Sequence, residues 1–96
     1  MCDRNTQPFE LKSTYSMQEL IELMAFLRSE NGCPWDRAQS HDSIKKNLLE
    51  EAYEAIDAID SEDPSRICDE LGDVLMQVVF HAQMASEQST FSFEDV

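Results

Sequence analysis

Two acidic segments, Leu49-Glu50-Glu51-Ala52-Tyr53-Glu54 and Glu70-Leu71-Gly72-Asp73, decide how this chain folds. Residues three apart on an α-helix lie on one face, so each segment places a pair of carboxylates on one side of a helix. Between them, Ser61-Glu62-Asp63-Pro64 is typical of one helix ending and another beginning, with Asp63 as N-cap and Pro64 in the first helical position. The pattern therefore predicts a helix hairpin.

The register of this hairpin follows from counting outward from Glu62. Glu54 and Glu70 lie eight residues on either side of it, and Glu51 and Asp73 lie eleven. In antiparallel helices with a rise of about 1.5 Å per residue, the members of each pair come level. The four carboxylates are therefore predicted to converge.

A helical wheel indicates that both acidic pairs border an apolar stripe. On the first hairpin helix, about residues 41–60, the predicted stripe is Ile44, Leu48, Ala52, Ala55 and Ile59. On the second, about residues 64–88, it is Ile67, Leu71, Val74, Val78 and Ala85, and the polar edge beside it continues from Asp73 to Gln77 and His81. The second helix carries further apolar residues outside its stripe, namely Leu75, Met76, Val79 and Phe80. Because two short helices cannot cover this surface, we expect a homodimer or homotetramer.

Four converging carboxylates repel one another and lose hydration, so they must take up protons or bind cations. An all-oxygen ligand set without Cys or paired His suits Mg²⁺, with Mn²⁺ as a possible substitute, rather than zinc. Protein-bound Mg²⁺ usually keeps several waters and takes other ligands from a phosphate-bearing substrate. The cluster therefore predicts phosphoryl chemistry.

The composition excludes two classes of partner. The formal net charge is −13, from 20 acidic and 7 basic residues, so neither nucleic acid nor an anionic membrane surface is expected to bind. No apolar run approaches the roughly 20 residues that span a bilayer. Three widely separated cysteines without a CxxC pair are interpreted as reduced thiols, which predicts a cytoplasmic protein.

At 96 residues the chain has the size of one small domain. Residues 1–15 lack periodicity and are predicted to be a loose N-terminal leader, and residues 16–96 the helical domain. A capping box at Ser16 and Glu19 predicts a first helix to about Ser29. A loop from about 31 to 40 should follow it, and Ser92 should begin a last helix.

Four residues outside the acidic pairs have alternative interpretations. Trp35 is either a hydrophobic plug over the end of the bundle or a wall on which a nucleobase stacks. Lys45 and Lys46 are either solvated or in contact with phosphate oxygens. His81 is interpreted as a hydrogen-bonded structural residue rather than a ligand or a base.

These motifs, taken in order, resemble the signature of MazG-type all-α nucleoside triphosphate pyrophosphohydrolases. The resemblance covers roughly Met17 to Val96 and rests on Glu50-Glu51-x-x-Glu54, fifteen intervening residues and Glu70-x-x-Asp73, together with Gly32-Cys33-Pro34-Trp35-Asp36, Gln39-Ser40-His41 and Val79-Phe80-His81-Ala82. It implies a four-helix-bundle fold of antiparallel helices. MazG-like domains continue into a further helix with basic residues, so the last helix of this chain is expected to be truncated or completed by a partner chain.

The resemblance also implies an activity, the Mg²⁺-dependent cleavage of nucleoside triphosphates at the α–β linkage to a monophosphate and pyrophosphate. Glu51, Glu54, Glu70 and Asp73 are then the metal ligands. Glu50 either orients or deprotonates the attacking water, or contacts the metal ligands without contacting the metal itself. The alternative function is a non-catalytic helical module for assembly or regulatory nucleotide binding, in which the carboxylates hold a structural cation.

Overall fold

The computed structural model describes residues 14–96, which form four α-helices: α1 (Met17–Leu27), α2 (Pro34–Arg37), α3 (His41–Ser61) and α4 (Pro64–Glu87). No β-strand occurs within that range. α3 and α4 form a long antiparallel hairpin, and α1 packs against α4. The predicted all-α class is confirmed, whereas the predicted leader at residues 1–15 lies almost wholly outside the described residues.

The chain reverses direction between α3 and α4 at the predicted place. Glu62 caps the end of α3 with a left-handed backbone, at φ 59°. Asp63 then caps α4 by accepting a hydrogen bond from the Ser65 N–H at 3.0 Å, and Pro64 takes the first helical position, where its missing N–H costs nothing. These local preferences set the register on which the site depends.

The predicted start of α1 is confirmed, since Ser16 and Glu19 form both hydrogen bonds of the capping box. The helix ends at Leu27, two residues earlier than expected, because the chain folds back there and the Cys33 N–H donates to the Leu27 carbonyl at 2.8 Å. A Cβ at Gly32 would lie 2.1 Å from the Phe26 carbonyl oxygen. Only glycine therefore permits this tight return.

Two expectations about irregular segments are wrong. The predicted loop at 31–40 contains the one-turn helix α2, which forms because Pro34 occupies its first position and the Arg37 N–H bonds to the Cys33 carbonyl at 2.9 Å. The helix expected from Ser92 is instead a turn over 93–95. Its capping contacts are present, however, because Asp95 Oδ2 accepts from the Ser92 N–H at 2.9 Å.

The core lies where α1, α3 and the second half of α4 meet. Its buried cluster consists of Met24, Ile44, Val79, Phe80 and Met84. The expectation that Val79 and Phe80 lack cover within the chain is wrong, since their exposed fractions are 2% and 7%. The cover comes from α1, which packs on the face that the hairpin leaves open.

The apolar stripe of α3 is rotated relative to the prediction. Ile44, Ala55 and Ala58 are buried, whereas Leu48 and Ile59 remain exposed. Positions 44, 51, 55 and 58 share one face of a helix, so Glu51 points into the hairpin rather than along its edge. On α4 the predicted stripe residue Leu71 is likewise 51% exposed.

One arginine connects α1, α2 and α4. Arg28 Nη1 donates to the Asp36 carbonyl at 2.6 Å and to the Gln39 carbonyl at 3.1 Å, while its Nε lies 2.9 Å from a Glu87 carboxylate oxygen. The guanidinium carbon lies 5.7 Å from the centre of the Phe80 ring. Arg28 therefore holds the α2 segment against the end of the bundle.

The interpretation of the cysteines as reduced thiols is wrong for Cys33, which is disulfide-bonded, and holds for Cys68, which is free and exposed. An odd number of cysteines leaves room for one pair, so the count alone did not exclude a bond. The thiol argument for a cytoplasmic location is thereby removed. Among the described residues, no helix is both long enough and apolar enough to cross a bilayer.

Candidate metal centre

The hairpin brings four carboxylates together midway along its length. One oxygen from each of Glu51, Glu54, Glu70 and Asp73 lies within 4.8 Å of the corresponding oxygen of every other member of the group. The predicted convergence is confirmed. It follows from the residue counts about the Glu62 turn and from the inward rotation of α3.

The cluster is strained electrostatically. Within residues 14–96, Oε2 of Glu51 and Oε2 of Glu70 are buried without a hydrogen-bond partner. Burial raises the pKa of both carboxyl groups above 4.5, and the charges of Glu54 and Asp73 raise the pKa of each further. For Glu70 the nearby Arg66 opposes this effect in part. These groups therefore favour a proton or a cation in their midst.

This arrangement fits a hard divalent cation. All four donors are carboxylate oxygens, the ligand type that Mg²⁺, Mn²⁺ and Ca²⁺ prefer. A positive charge between the helices would give the two buried oxygens a partner, and an unpaired buried polar atom is otherwise costly. The residues thus fit the cation that their chemistry implies.

Glu50 does not belong to this group. It precedes Glu51 on α3, is exposed, and lies about 100° around the helix from its neighbour. It faces the approach to the cluster rather than its centre. A role acting on a water molecule at the rim is compatible with this position.

The two lysines predicted to contact phosphate are on the surface of α3, away from the carboxylates. Lys45 Nζ pairs with Asp42 at 2.7 Å, and this contact raises the pKa of Lys45 and lowers that of Asp42. Lys46 is exposed. By helical periodicity both point more than 90° away from Glu51.

Trp35 does not act as a hydrophobic plug, because it is 55% exposed. Its place is set by two hydrogen bonds: Gln39 Nε2 donates to the Trp35 carbonyl at 2.9 Å, and Ser43 Oγ donates to Gln39 Oε1 at 2.8 Å. The backbone at Trp35 is therefore attached to the first turn of α3. The indole ring is exposed and available for stacking.

His81 has the hydrogen bond that its structural interpretation requires, and its partner is His41. The two Nδ1 atoms are 2.7 Å apart, and the nearly parallel rings have centres 5.0 Å apart. Burial and the neighbouring His41 lower the pKa of His81 below 6.5. The sequence reasoning missed His41, although the residue counts about the turn place it nearly level with His81. His41 lies 21 residues before Glu62, and His81 lies 19 after it.

The comparisons with known proteins agree with this geometry. Residues 39–96 match the profile of the MazG nucleotide pyrophosphohydrolase domain. A Thermotoga maritima protein named nucleoside triphosphate pyrophosphohydrolase/pyrophosphatase MazG is 54% identical over 79 residues, which cover 82% of this chain and 31% of the relative. An Escherichia coli K12 nucleoside triphosphate pyrophosphohydrolase is 49% identical over 81 residues, covering 83% of this chain and 31% of the relative.

An uncharacterised protein of Bacillus subtilis is 50% identical over 70 residues, covering 73% of this chain and 14% of that protein. This chain thus spans less than a third of the length of these curated relatives. The matched portion includes both acidic pairs and the turn between them.

Proposed function

This chain belongs to the MazG nucleotide pyrophosphohydrolase family, and from that premise we propose that it hydrolyses nucleoside triphosphates at the α–β linkage. Water adds to one phosphorus of that anhydride, the bridging P–O bond breaks, and a nucleoside monophosphate and pyrophosphate leave. The observation that carries the proposal is the group of four carboxylate oxygens within 4.8 Å of one another. Two of the contributing residues, Glu51 and Glu70, also have a buried Oε2 without a hydrogen-bond partner.

The proposed cofactor is Mg²⁺, with Mn²⁺ as a substitute. Glu51, Glu54, Glu70 and Asp73 would hold it. When bound, such an ion neutralises phosphate charge, positions the substrate and makes a bound water more acidic. The net charge of −13 makes this neutralisation necessary, because an unaccompanied triphosphate would be repelled.

We propose roles for four side chains outside the cluster. Glu50 accepts a proton from the attacking water or orients it, or else supports the ligands from behind. Lys45 and Lys46 are proposed to contact phosphate, for which Lys45 must leave Asp42. Trp35 is proposed to stack on the nucleobase, since aromatic faces bind bases of any sequence.

We also propose that the chain acts as a homodimer or homotetramer. Leu49, Tyr53 and Ile56 on α3 are each more than half exposed, as is Leu71 on α4. A contiguous apolar surface of this kind normally marks an interface.

The same surface supports the alternative, a non-catalytic module for assembly or regulatory nucleotide binding in which the carboxylates hold a structural cation. A cytoplasmic location remains part of the proposal.

One assay separates these functions. The chain is incubated with Mg²⁺ and each of the four common ribonucleoside triphosphates, and the products are identified by ³¹P NMR. The proposal expects monophosphate and pyrophosphate from the wild type and neither product from Glu54→Gln. Release of diphosphate and phosphate would place the cleavage at the wrong linkage. Absence of both product pairs would favour the non-catalytic module.

A further inference from the structure

A second pair of buried polar atoms lies on the same helix as the metal ligands. Within the described part of the chain, Gln77 Oε1 and His81 Nε2 are buried and have no hydrogen-bond partner, like the carboxylate oxygens of Glu51 and Glu70. A cation between the carboxylates satisfies the first pair and leaves the second unexplained. An unpaired buried polar atom destabilises the folded chain, so the second pair also indicates a ligand.

The position of this second pair is defined by the helix. Gln77 and His81 follow Asp73 by four and eight residues on one edge of α4, which places them about 6 and 12 Å farther along the axis. A nucleoside is comparable in length with that interval. A nucleotide whose phosphates lie at the carboxylates can therefore extend along α4 to both residues.

His41 fixes the orientation of the His81 ring. The contact of 2.7 Å between the two Nδ1 atoms occupies one nitrogen of His81 and leaves Nε2 as its remaining polar atom. Only one of the two Nδ1 atoms can carry a hydrogen in this contact. His81 Nε2 is consequently a donor or an acceptor according to which histidine donates.

The two ends of the hairpin differ in chemistry, and this difference sets the direction of the substrate. Toward the Glu62 turn the flanking residues are mostly charged, among them Asp57, Asp60 and Asp69. Toward the other end lie the neutral Gln77 amide, the histidine pair and the exposed Trp35. The charged side chains of α3 at this end, Asp42, Lys45 and Lys46, are exposed, Lys45 pairs with Asp42, and by helical periodicity both lysines point away from Glu51. An uncharged nucleoside, which offers aromatic faces and several hydrogen-bonding groups, matches the second end.

We infer that Gln77 and His81 bind the nucleoside part of the substrate, and that His41 is the positioning residue which holds His81. The inference rests on the proposed function, because it presupposes phosphates at the carboxylate cluster. Gln77 and His81 are partly exposed residues, although Oε1 and Nε2 are buried, so a ligand lying along this edge of α4 contacts them when their side chains rotate. Gln77 can accept through Oε1 and donate through its amide nitrogen, which suits sugar hydroxyls and base edges.

Binding measurements on the 96-residue chain test this inference without turnover. Calorimetry with Mg²⁺ compares two probes: an α,β-methylene nucleoside triphosphate, which resists hydrolysis, and inorganic tripolyphosphate, which lacks the nucleoside. Gln77→Leu and His81→Asn should each weaken binding of the nucleotide by roughly tenfold, the effect of one lost hydrogen bond. Binding of tripolyphosphate and the Mn²⁺ affinity should change by less than about twofold.

Two further variants complete the design. Gln88→Leu, at the exposed cap of the same helix, is the matched control and should leave both affinities unchanged. For His41, Leu should weaken nucleotide binding whereas Asn, whose amide occupies the place of Nδ1, should restore it. A role for His41 in stability alone would change the melting temperature without this rescue of nucleotide affinity.

The outcomes distinguish this inference from the proposed function. A wild type that binds tripolyphosphate as tightly as the nucleotide overturns the inference and leaves the metal site intact. A wild type that binds neither probe overturns the inference together with the proposed function. An equal loss for both probes in Gln77→Leu and His81→Asn also overturns it, because those side chains would then act on the phosphates or on the fold.

Discussion

The two halves of α4 have opposite characters, although they form one continuous helix. Residues 64–76 carry Glu70 and Asp73 and leave Leu71 half exposed. Residues 77–87 contain all the buried residues of the helix, namely Val79, Phe80, Ala82, Met84 and Ala85. The difference indicates that the second half stabilises the fold and that the first half holds the carboxylate cluster.

The cause of this division is how far α1 extends along α4. The buried cluster places Met24 of α1 with Val79, Phe80 and Met84, and Arg28 joins the end of α1 to Glu87. Among the described residues, the buried side chains nearest in sequence to the carboxylates are Ala55 and Ala58 of α3. A site built there can collect like charges without disrupting the core, since its repulsion is confined to the less packed half.

The largest expected effect comes from the core. Met84→Ala should reduce the free energy of unfolding by about 2–5 kcal/mol, because it removes a side chain that is 1% exposed. Leu71→Ala, the matched change in the first half, should cost less than about 1 kcal/mol under conditions where the chain is monomeric. Urea denaturation followed by circular dichroism measures both. Equal costs would show that the two halves are packed alike.

The next effect concerns the metal. At a hundredfold excess over its dissociation constant, a cation that binds only the folded chain stabilises it by about 2.7 kcal/mol. Glu54→Gln should abolish most of this stabilisation. It should also leave the metal-free protein equally or more stable, because it relieves repulsion with Glu51 and Glu70.

Thermal melts of the wild type and Glu54→Gln, with and without Mg²⁺, give both quantities. NaCl at matched ionic strength is the control, since general screening acts on any acidic surface. If NaCl reproduces the Mg²⁺ shift in both proteins, the metal site does not exist. A destabilised metal-free Glu54→Gln would show instead that Glu54 contributes to packing.

Arg28 should have an intermediate effect. Arg28→Met keeps the length of the side chain but removes its bonds to Glu87 and to the carbonyls of Asp36 and Gln39. We expect a loss of about 1.5–2.5 kcal/mol, because the carbonyls lose a charged donor at a partly buried position. Denaturation measures this loss, and Trp35 fluorescence should shift with it. An unchanged stability would mean that solvent replaces all three bonds.

Sequence reasoning located the carboxylates because their convergence depends only on counting from a turn whose capping residues are unambiguous. It missed the rotation of α3 because a hydrophobic wheel assigns the inward face to Leu48, whereas the structure places Glu51 there. The wheel contains no term that turns a charged residue toward the seam between two helices. Such a pattern is expected to fail where the proposed cation makes it favourable for carboxylates to face inward.

The remaining misses have a different origin. α2 is four residues long, too short for any periodicity to indicate it, and only Pro34 marked its start. Val79 and Phe80 are covered because of the way α1 packs across α4. Tertiary packing, not local sequence, decides which of several exposed faces α1 covers. His41 looked like an ordinary polar residue until the hairpin brought it beside His81. Gln77 was placed on the polar edge of α4 but was assigned no role.

The smallest expected effect is a dependence on pH that differs in sign between the two halves. The pKa of His81 lies below its ordinary value of 6.5 because of burial and the nearby His41, so below about pH 6.5 the unfolded chain binds more protons than the folded chain. This lowers the stability as the pH falls toward the folded pKa. Glu51 and Glu70 act oppositely, since their raised pKa values make the folded chain bind more protons as the pH falls.

The contribution of His81 is isolated by subtracting the melting temperature of His81→Asn from that of the wild type, because the carboxylate contributions are common to both proteins. We expect this difference to decrease between about pH 7.5 and about pH 5.5, as the wild type alone loses the stability linked to a neutral His81. A difference independent of pH would mean that the His41–His81 contact leaves the proton affinity of His81 unaltered on folding. The second half of α4 would then stabilise the chain without any contribution from the titration of His81.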